Sequence, residues 1–201
     1  MSKASADASL TSCPIPLTKI VIMNRLKLTF LFLILSLTAF GQQIYNQTDS
    51  SGLKQGTWIE NYAYSSQAKW RLNYKNDLLD GLQVSYHKNG QVKSKQEYAN
   101  GEKNGVFETY YPNGQLHEQL YLVNGKMQGG YKFYYKTGQV AREGSFMNDV
   151  DHGKSTRYHE NGQVWLVETY VDGKVDGKVE EFNTAGKLVR SMEYEKGKKK
   201  K

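Results

Sequence analysis

From Gly56 to Gly197 the apolar residues fall into columns that recur every 24 positions. Tyr86, Tyr110, Tyr134, Tyr158 and Phe182 form one column; Val92, Leu116, Val140, Val164 and Leu188 form a second. Tyr98, Leu122, Phe146, Tyr170 and Tyr194 form a third. Lys, Glu, Gln, His and Ser fill the positions between them, so short stretches alternate apolar with polar as half-buried strands do. The second and third columns lie six residues apart, an even spacing that predicts one shared, buried face and one wet face. The stretch Gly105–Met127 shows the unit most cleanly. It reads as a strand from Val106 to Tyr111, a Pro-Asn-Gly-Gln turn, a strand from Leu116 to Val123, and Asn124-Gly125 turning back.

Glycine punctuates the columns. Gly81, Gly105, Gly129, Gly153 and Gly177 open five units, and Gly90, Gly114, Gly138, Gly162 and Gly186 fall in their hairpin turns. Gly101, Gly125, Gly173 and Gly197 close units, with Asp149 as the one substitution. Asn89-Gly90, Asn113-Gly114 and Asn161-Gly162 read as tight hairpin turns, because both residue types tolerate positive φ. A degenerate leading copy covers residues 56–80, where Trp58 and Trp70 suit a capping unit and the link Ala63–Ala68 is irregular. One hairpin is too small to stand alone. The pattern therefore predicts an all-β fold: an elongated antiparallel meander of tandem hairpin repeats, with about twelve strands and roughly 10 Å of advance per repeat.

The flanks are different. Residues 1–22 read as an upstream extension and residues 23–41 as a signal peptide: a basic start at Arg25 and Lys27, an apolar run Leu28–Phe40, then Ala39-Phe40-Gly41 before Gln42. An uncleaved anchor is the competing reading, against which the short run argues. Residues 42–55 read as a flexible polar lead-in and residues 198–201 as a disordered basic tail. The formal charge of +7 resides in those flanks: residues 1–41 carry +3, Lys198–Lys201 carry +4, and the repeat region between is neutral. A neutral body argues against nucleic-acid binding. Cys13 is the single cysteine, which excludes a disulfide framework and a thiolate metal cluster.

The sequence Tyr-Tyr-x-Asn-Gly-Gln-Leu, a polar strand, then Tyr-x-x-Asn-Gly-Lys-x-x-Gly resembles the MORN repeat variant found in bacterial YwqK-type antitoxins. The resemblance covers about Gly56 to Gly197, and Gly105–Gly129 is its clearest copy. It implies a twisted antiparallel sheet without catalytic residues, and a role as antitoxin or as a membrane- or protein-binding scaffold. The leader ending Phe-Gly-Gln-Gln resembles signal peptides of the Bacteroidota group, and export argues against neutralising a cytosolic toxin. The sequence-based reading is thus a non-enzymatic scaffold without cofactor, exported to the periplasm, cell surface or medium. It presents a β-surface to an unidentified protein. A lipid-associated module and an antitoxin are the alternatives, and pairing of open sheet edges would give dimers.

Candidate chemistry is sparse. His87, His117, His152 and His159 are too scattered to share a metal and are read as solvated polar positions. Asp149, Asp151, Asp172 and Asp176 occupy equivalent turns of adjacent repeats and are weak calcium candidates, the simpler reading being that Asp starts turns well. Tyr111 and Tyr135 sit next to a core column and are expected to face outward. With Phe133 and Trp165 they form a candidate binding surface, unless curvature or a second layer covers them. Lys198–Lys201 offer a contact for anionic lipid.

Overall fold

A computed structural model describes residues 44–201; the proposed extension and signal peptide lie outside the described residues. Eighteen strands follow one another. The first five are β1 (Gln47–Thr48), β2 (Lys54–Asn61), β3 (Ala68–Lys75), β4 (Leu78–Leu79) and β5 (Gly81–Tyr86). Next come β6 (Val92–Ala99), β7 (Glu102–Tyr110), β8 (Leu116–Val123), β9 (Lys126–Met127) and β10 (Gly129–Tyr134). Then β11 (Val140–Met147), β12 (Val150–Asp151), β13 (Gly153–Tyr158), β14 (Val164–Val171) and β15 (Lys174–Val175). The last are β16 (Gly177–Phe182), β17 (Leu188–Glu195) and β18 (Lys198–Lys199). Twelve are long and make six hairpins; six are two-residue pieces beside the turns. Every pairing is antiparallel and between near neighbours in the chain, so the sheet is an open meander.

The two kinds of strand contact differ in length. Within a hairpin the ladder has six residue pairs, as from Gly129↔Phe146 to Tyr134↔Val140. Between hairpins it shrinks to two at four of the five junctions, as Lys132↔Gln119 and Phe133↔Glu118, and is longer only between β6 and β7, where five pairs form. The backbone groups beyond those two pairs need other partners, and the turns and side chains described below supply them.

Both ends extend the pattern. Asn46 in the lead-in donates its backbone N–H to Thr57 O, and its side chain brackets Ile59, accepting from the N–H at 2.7 Å and donating to the C=O at 3.3 Å. The lead-in from Ile44 is thus an ordered edge rather than a flexible one. Lys198 and Lys199 pair with Glu195 and Tyr194, and Lys200 N–H reaches Glu193 O. The basic tail starts a further repeat instead of hanging free, because the turn at Lys196-Gly197 continues the repeat geometry.

The turns are of two kinds. Asn124 and Gly125 both have positive φ, 49° and 77°, and make a two-residue turn between Val123 and Lys126. In the Asn-Gly turns, by contrast, only the glycine is left-handed: Gly114 has φ 85°, while Asn113 is absent from the positive-φ residues. Gly114 N–H donates to Tyr111 O and Tyr111 N–H to Gln115 O, which defines a three-residue loop with a bulge at Gly114. The asparagine contributes its side chain. Asn113 Oδ1 accepts from Gln115 N–H at 3.1 Å.

A second irregularity inverts the expected face assignment. In all six hairpins the register shifts just before the turn, so that Tyr110 pairs with Leu116 while Thr109 pairs with Glu118; the same shift occurs at Phe133/Tyr134 and Arg157/Tyr158. This β-bulge breaks the count of six between columns. Leu116 and its equivalents join the tyrosine column on what we call the back face, and Leu122 and Phe146 lie on the opposite, front face. One side-chain column therefore covers each face, and no face is simply dry or wet.

The buried residues confirm how thin the core is. Five are hydrophobic (Val84, Leu120, Leu122, Tyr131, Val179) and five polar (Gln83, Ser85, Gln96, Ser155, Thr156), and no large side chain is fully enclosed. Most lie on the front face at mid-strand, in the column of opposed pairs Gln83·Gln96, Phe107·Leu120, Tyr131·Gly144, Ser155·Glu168 and Val179·Met192. Position in a single-layer sheet, rather than hydrophobicity, decides burial here. Leu120, Leu122 and Tyr131 pack with Phe107, Met127, Phe133 and Phe146 into the main apolar cluster.

Candidate binding surface

The column adjoining the tyrosines is occupied by Tyr62, His87, Tyr111, Tyr135 and His159, and each reaches into the following hairpin. Tyr62 Oη donates to Tyr86 O at 2.6 Å, Tyr111 Oη to Tyr134 O at 2.8 Å, and Tyr135 Oη to Tyr158 O at 2.6 Å. His87 Nε2 meets Tyr110 O at 2.8 Å and His159 Nε2 meets Phe182 O at 3.0 Å. Tyrosine and histidine interchange because each offers a planar ring with a donor at its tip. Tyr111 and Tyr135 are therefore half-buried ties between repeats rather than outward-facing rings, and burial raises the Tyr111 hydroxyl pKa above its ordinary value. His87 and His159 are engaged likewise, not merely solvated.

The turn asparagines run in parallel. Asn89 Nδ2 donates to Pro112 O at 2.7 Å and Asn161 Nδ2 to Thr184 O at 2.8 Å. These ties complete the backbone accounting left open by the two-pair ladders.

The remaining candidates are placed differently from one another. Phe133 belongs to the front-face apolar cluster, edge-on to Tyr131 at 5.4 Å. Trp165 is 39% exposed, its ring 6.1 Å from that of His159. The four aromatics thus do not meet in one patch. Asp149 sits at φ 71° and accepts from Met127 N–H at 2.7 Å, as Asp77 does from Lys54 N–H at 2.6 Å three turns earlier in the same column. Asp151 holds Arg142 at 2.8 Å and accepts from Tyr131 Oη at 2.6 Å. Asp176 accepts weakly from Lys196 N–H at 3.4 Å, and Asp172 is exposed. Among the described residues no three His, Cys, Asp or Glu side chains are grouped to hold a metal ion.

Around Tyr131 a polar network replaces the apolar pairing of neighbouring repeats. Its ring lies over Gly144, where an added Cβ would stand 2.6 Å from the hydroxyl, and Arg142 approaches the ring at 5.1 Å. Arg142 also donates to Ser155 Oγ at 3.2 Å. Burial and the bond to Asp151 push the Tyr131 hydroxyl up to about 12.

A large concavity is on the back face, where no sequence-derived candidate lies. A groove of about 690 Å³ crosses three successive hairpins, walled by Gln119, Lys132, Tyr134, Glu143, Thr156 and Tyr158. Lys132 Nζ stands 3.7 Å from Glu143 Oε2, and Tyr158 Oη donates to Glu143 Oε1 at 2.7 Å. That bond, then burial, raises the Tyr158 hydroxyl to about 12. Tyr134 and Tyr158 were legible only as a repeating column. Lys132 and Glu143 share their face by strand alternation, but nothing in the pattern marks them as lining a groove. Further out on the same face lies a row of exposed apolar residues at repeat spacing: Val123, Met147 and Val171.

The fold defines an open, single-layer protein of tandem β-hairpin repeats. Four tandem segments, residues 79–100, 103–124, 127–148 and 151–172, match the family model of the MORN repeat variant. The hairpins β2–β3 and β16–β17 extend that series by one structural copy at each end. None of the curated proteins matches the chain. Two solved structures show local likeness: S. aureus TarM, as a point mutant in complex with fondaparinux, alpha-GlcNAc-glycerol and UDP, and a GtfA/B complex bound to UDP and GlcNAc. The first is 13% identical at a TM-score of 0.33, covering 48% of this chain and 19% of that one. The second is 14% identical at 0.26, covering 74% and 28%. This chain spans less than a third of either.

Proposed function

We propose that the protein is a non-catalytic scaffold that takes an extended segment of a protein partner into the back-face groove. The observation that carries this reading is the groove itself. It crosses three hairpins, and its walls mix tyrosine rings with the Lys132–Glu143 pair. Aromatic and charged side chains so arranged fit a polypeptide's apolar side chains and its polar backbone. The residues that the repeat keeps constant are occupied in folding, whereas Lys132, Glu143 and Thr156 are free to differ from unit to unit. In this reading the chain is exported and mature from Gln42. An antitoxin role requires a toxin acting in that same compartment.

The test is an affinity capture with cross-linking, using the chain from Gln42 and its Lys132→Ala/Glu143→Ala counterpart. The native chain should cross-link its partner through the groove, and the double variant should lose the partner while keeping its denaturation midpoint. Retention of the partner by the double variant would sink the proposal.

A second reading has its own observation. Val123, Met147 and Val171 are 51%, 42% and 46% exposed, and Lys126 and Lys174 flank them in the same turns. An apolar row with basic neighbours suits an anionic lipid surface. Sedimentation with phosphatidylserine vesicles separates the two readings: binding lost on changing Val123 and Val171 to Ser supports the lipid module, and no sedimentation eliminates it.

A further inference from the structure

Another concavity, on the front face towards the amino end, lies where the chain departs from the repeat at two places. The first is position 103. Three other units oppose an apolar residue to the third column: Leu79 to Tyr74, Met127 to Leu122 and Val175 to Tyr170. Tyr98 instead faces Lys103. Where Asp151 stands at this position, Arg142 and the Tyr131 hydroxyl answer its charge. Nothing answers Lys103: it is exposed, and its ammonium makes no ion pair or hydrogen bond among the described residues. The second departure is the opposed pair Ser85 and Ser94, in a row where the other hairpins carry larger side chains.

The short serines leave open a cleft of about 330 Å³, lined by Trp70, Leu72, Leu79, Tyr98, Phe107 and Lys103. A volume of this size lies at the small end of ligand-binding pockets. Beside the ammonium, two lining side chains offer spare donors. Tyr98 Oη and Trp70 Nε1 have no hydrogen-bond partner among the described residues, and neither atom is enclosed. Burial raises the Tyr98 hydroxyl pKa above its ordinary value, so the proton stays in place at neutral pH. Glu60 also lines the cleft and is exposed, but it stands on β2, whereas Lys103 is on β7. Four strand spacings separate them through β3, β5 and β6, about 19 Å across the sheet. The cleft is therefore apolar along its length, cationic on one flank and anionic on the other.

We propose that this cleft binds a small apolar monocarboxylate, an arylalkanoate whose acid group meets the Lys103 ammonium and the Tyr98 hydroxyl while its ring lies against Trp70, Leu72 and Phe107. A carboxylate between a lysine and a phenol accepts charge-assisted hydrogen bonds, and the aromatic walls suit a flat body. Glu60 repels a second acid group and so selects against dicarboxylates. Binding here is independent of the back-face groove, which lies on the other side of the sheet.

3-Phenylpropionate is the probe, with 3-phenylpropionamide as its neutral match in size and acetate as the acid without a ring. Titrated into the full chain and followed by two-dimensional NMR, 3-phenylpropionate should shift the Trp70 indole N–H saturably. It should bind about three-fold more tightly than the amide, the scale of one solvent-exposed charge pair, and acetate should leave the indole unmoved. Lys103→Met, which installs the residue found at Met127, should bring acid and amide to equal affinity without losing the amide. Equal binding of acid and amide by the native chain overturns the proposal. So does the absence of a saturable indole shift up to the solubility limit, an equal response to acetate, or an acid preference that survives Lys103→Met. If the variant does not fold, the acid–amide contrast in the native chain decides alone.

Discussion

At the scale of single residues, close approach and left-handed backbone carry the sharpest consequences. Tyr131 is 2% exposed and its ring occupies the space above Gly144. Gly144→Ala should destabilise the chain by about 1–3 kcal/mol, the usual range for overpacking. Urea denaturation measures it, and a change under about 0.5 kcal/mol would show that the ring moves aside freely. Asp149 offers a finer case. It holds φ 71°, where glycine stands in most other units, and recovers the strain through its bond to Met127 N–H. Asp149→Ala keeps the strain and loses the bond, whereas Asp149→Gly loses the bond but relieves the strain. The alanine chain should therefore melt below the glycine chain; the reverse order would mean that the left-handed backbone at this position costs nothing.

Tyr131 and Tyr158 also set a pH dependence. Both hydroxyls are raised from the ordinary tyrosine value to about 12. They stay neutral in the folded chain while the unfolded chain already ionises. Their contribution to stability is fully present below about pH 10 and is lost between about pH 10 and 12. The thermal midpoint should fall across that window. Tyr131→Phe and Tyr158→Phe together should flatten the fall. An unchanged slope in the double variant would refute the assignment.

At the scale of the hairpin, stability rests on what joins neighbours. A short ladder is reinforced by a tyrosine or histidine ring tip at each junction, and at three of the five by a turn asparagine, Asn89, Asn113 or Asn161. Removing one hydroxyl by Tyr135→Phe should cost about 0.5–1.5 kcal/mol, since Tyr158 O then loses its donor. Differential scanning calorimetry reads this directly. A Tyr135→Phe chain as stable as the native one would return Tyr135 to the free surface and reopen it as a binding residue. The sequence showed the columns but not these ties. Asn-Gly predicted a turn correctly while misplacing the reason: at Asn113 the useful atom is the side-chain amide, which bonds across to the next repeat.

At the scale of the whole molecule, each unit touches only its neighbours, so the array should behave additively. Deleting residues 129–152 removes one complete repeat and should leave a folded β-protein of lower stability. Deleting 12 of those residues would invert strand direction and should leave no cooperative transition by circular dichroism. If the 24-residue deletion fails to fold, the hairpins are not equivalent modules.

The 24-residue recurrence by itself determined that this chain is an open meander of antiparallel hairpins, because turn residues and alternation are local properties read from neighbours in sequence. Which face each column takes was decided in the tertiary structure. One bulge per hairpin reverses the alternation, and its effect appears only when two strands are paired. The same holds for burial. A single-layer sheet shields whatever stands at mid-strand, so Gln83, Gln96 and Ser155 are buried by position, while Tyr111 and Tyr135 are engaged by a neighbouring backbone. The back-face groove arises from side chains that stand on three successive hairpins, and no single repeat contains it.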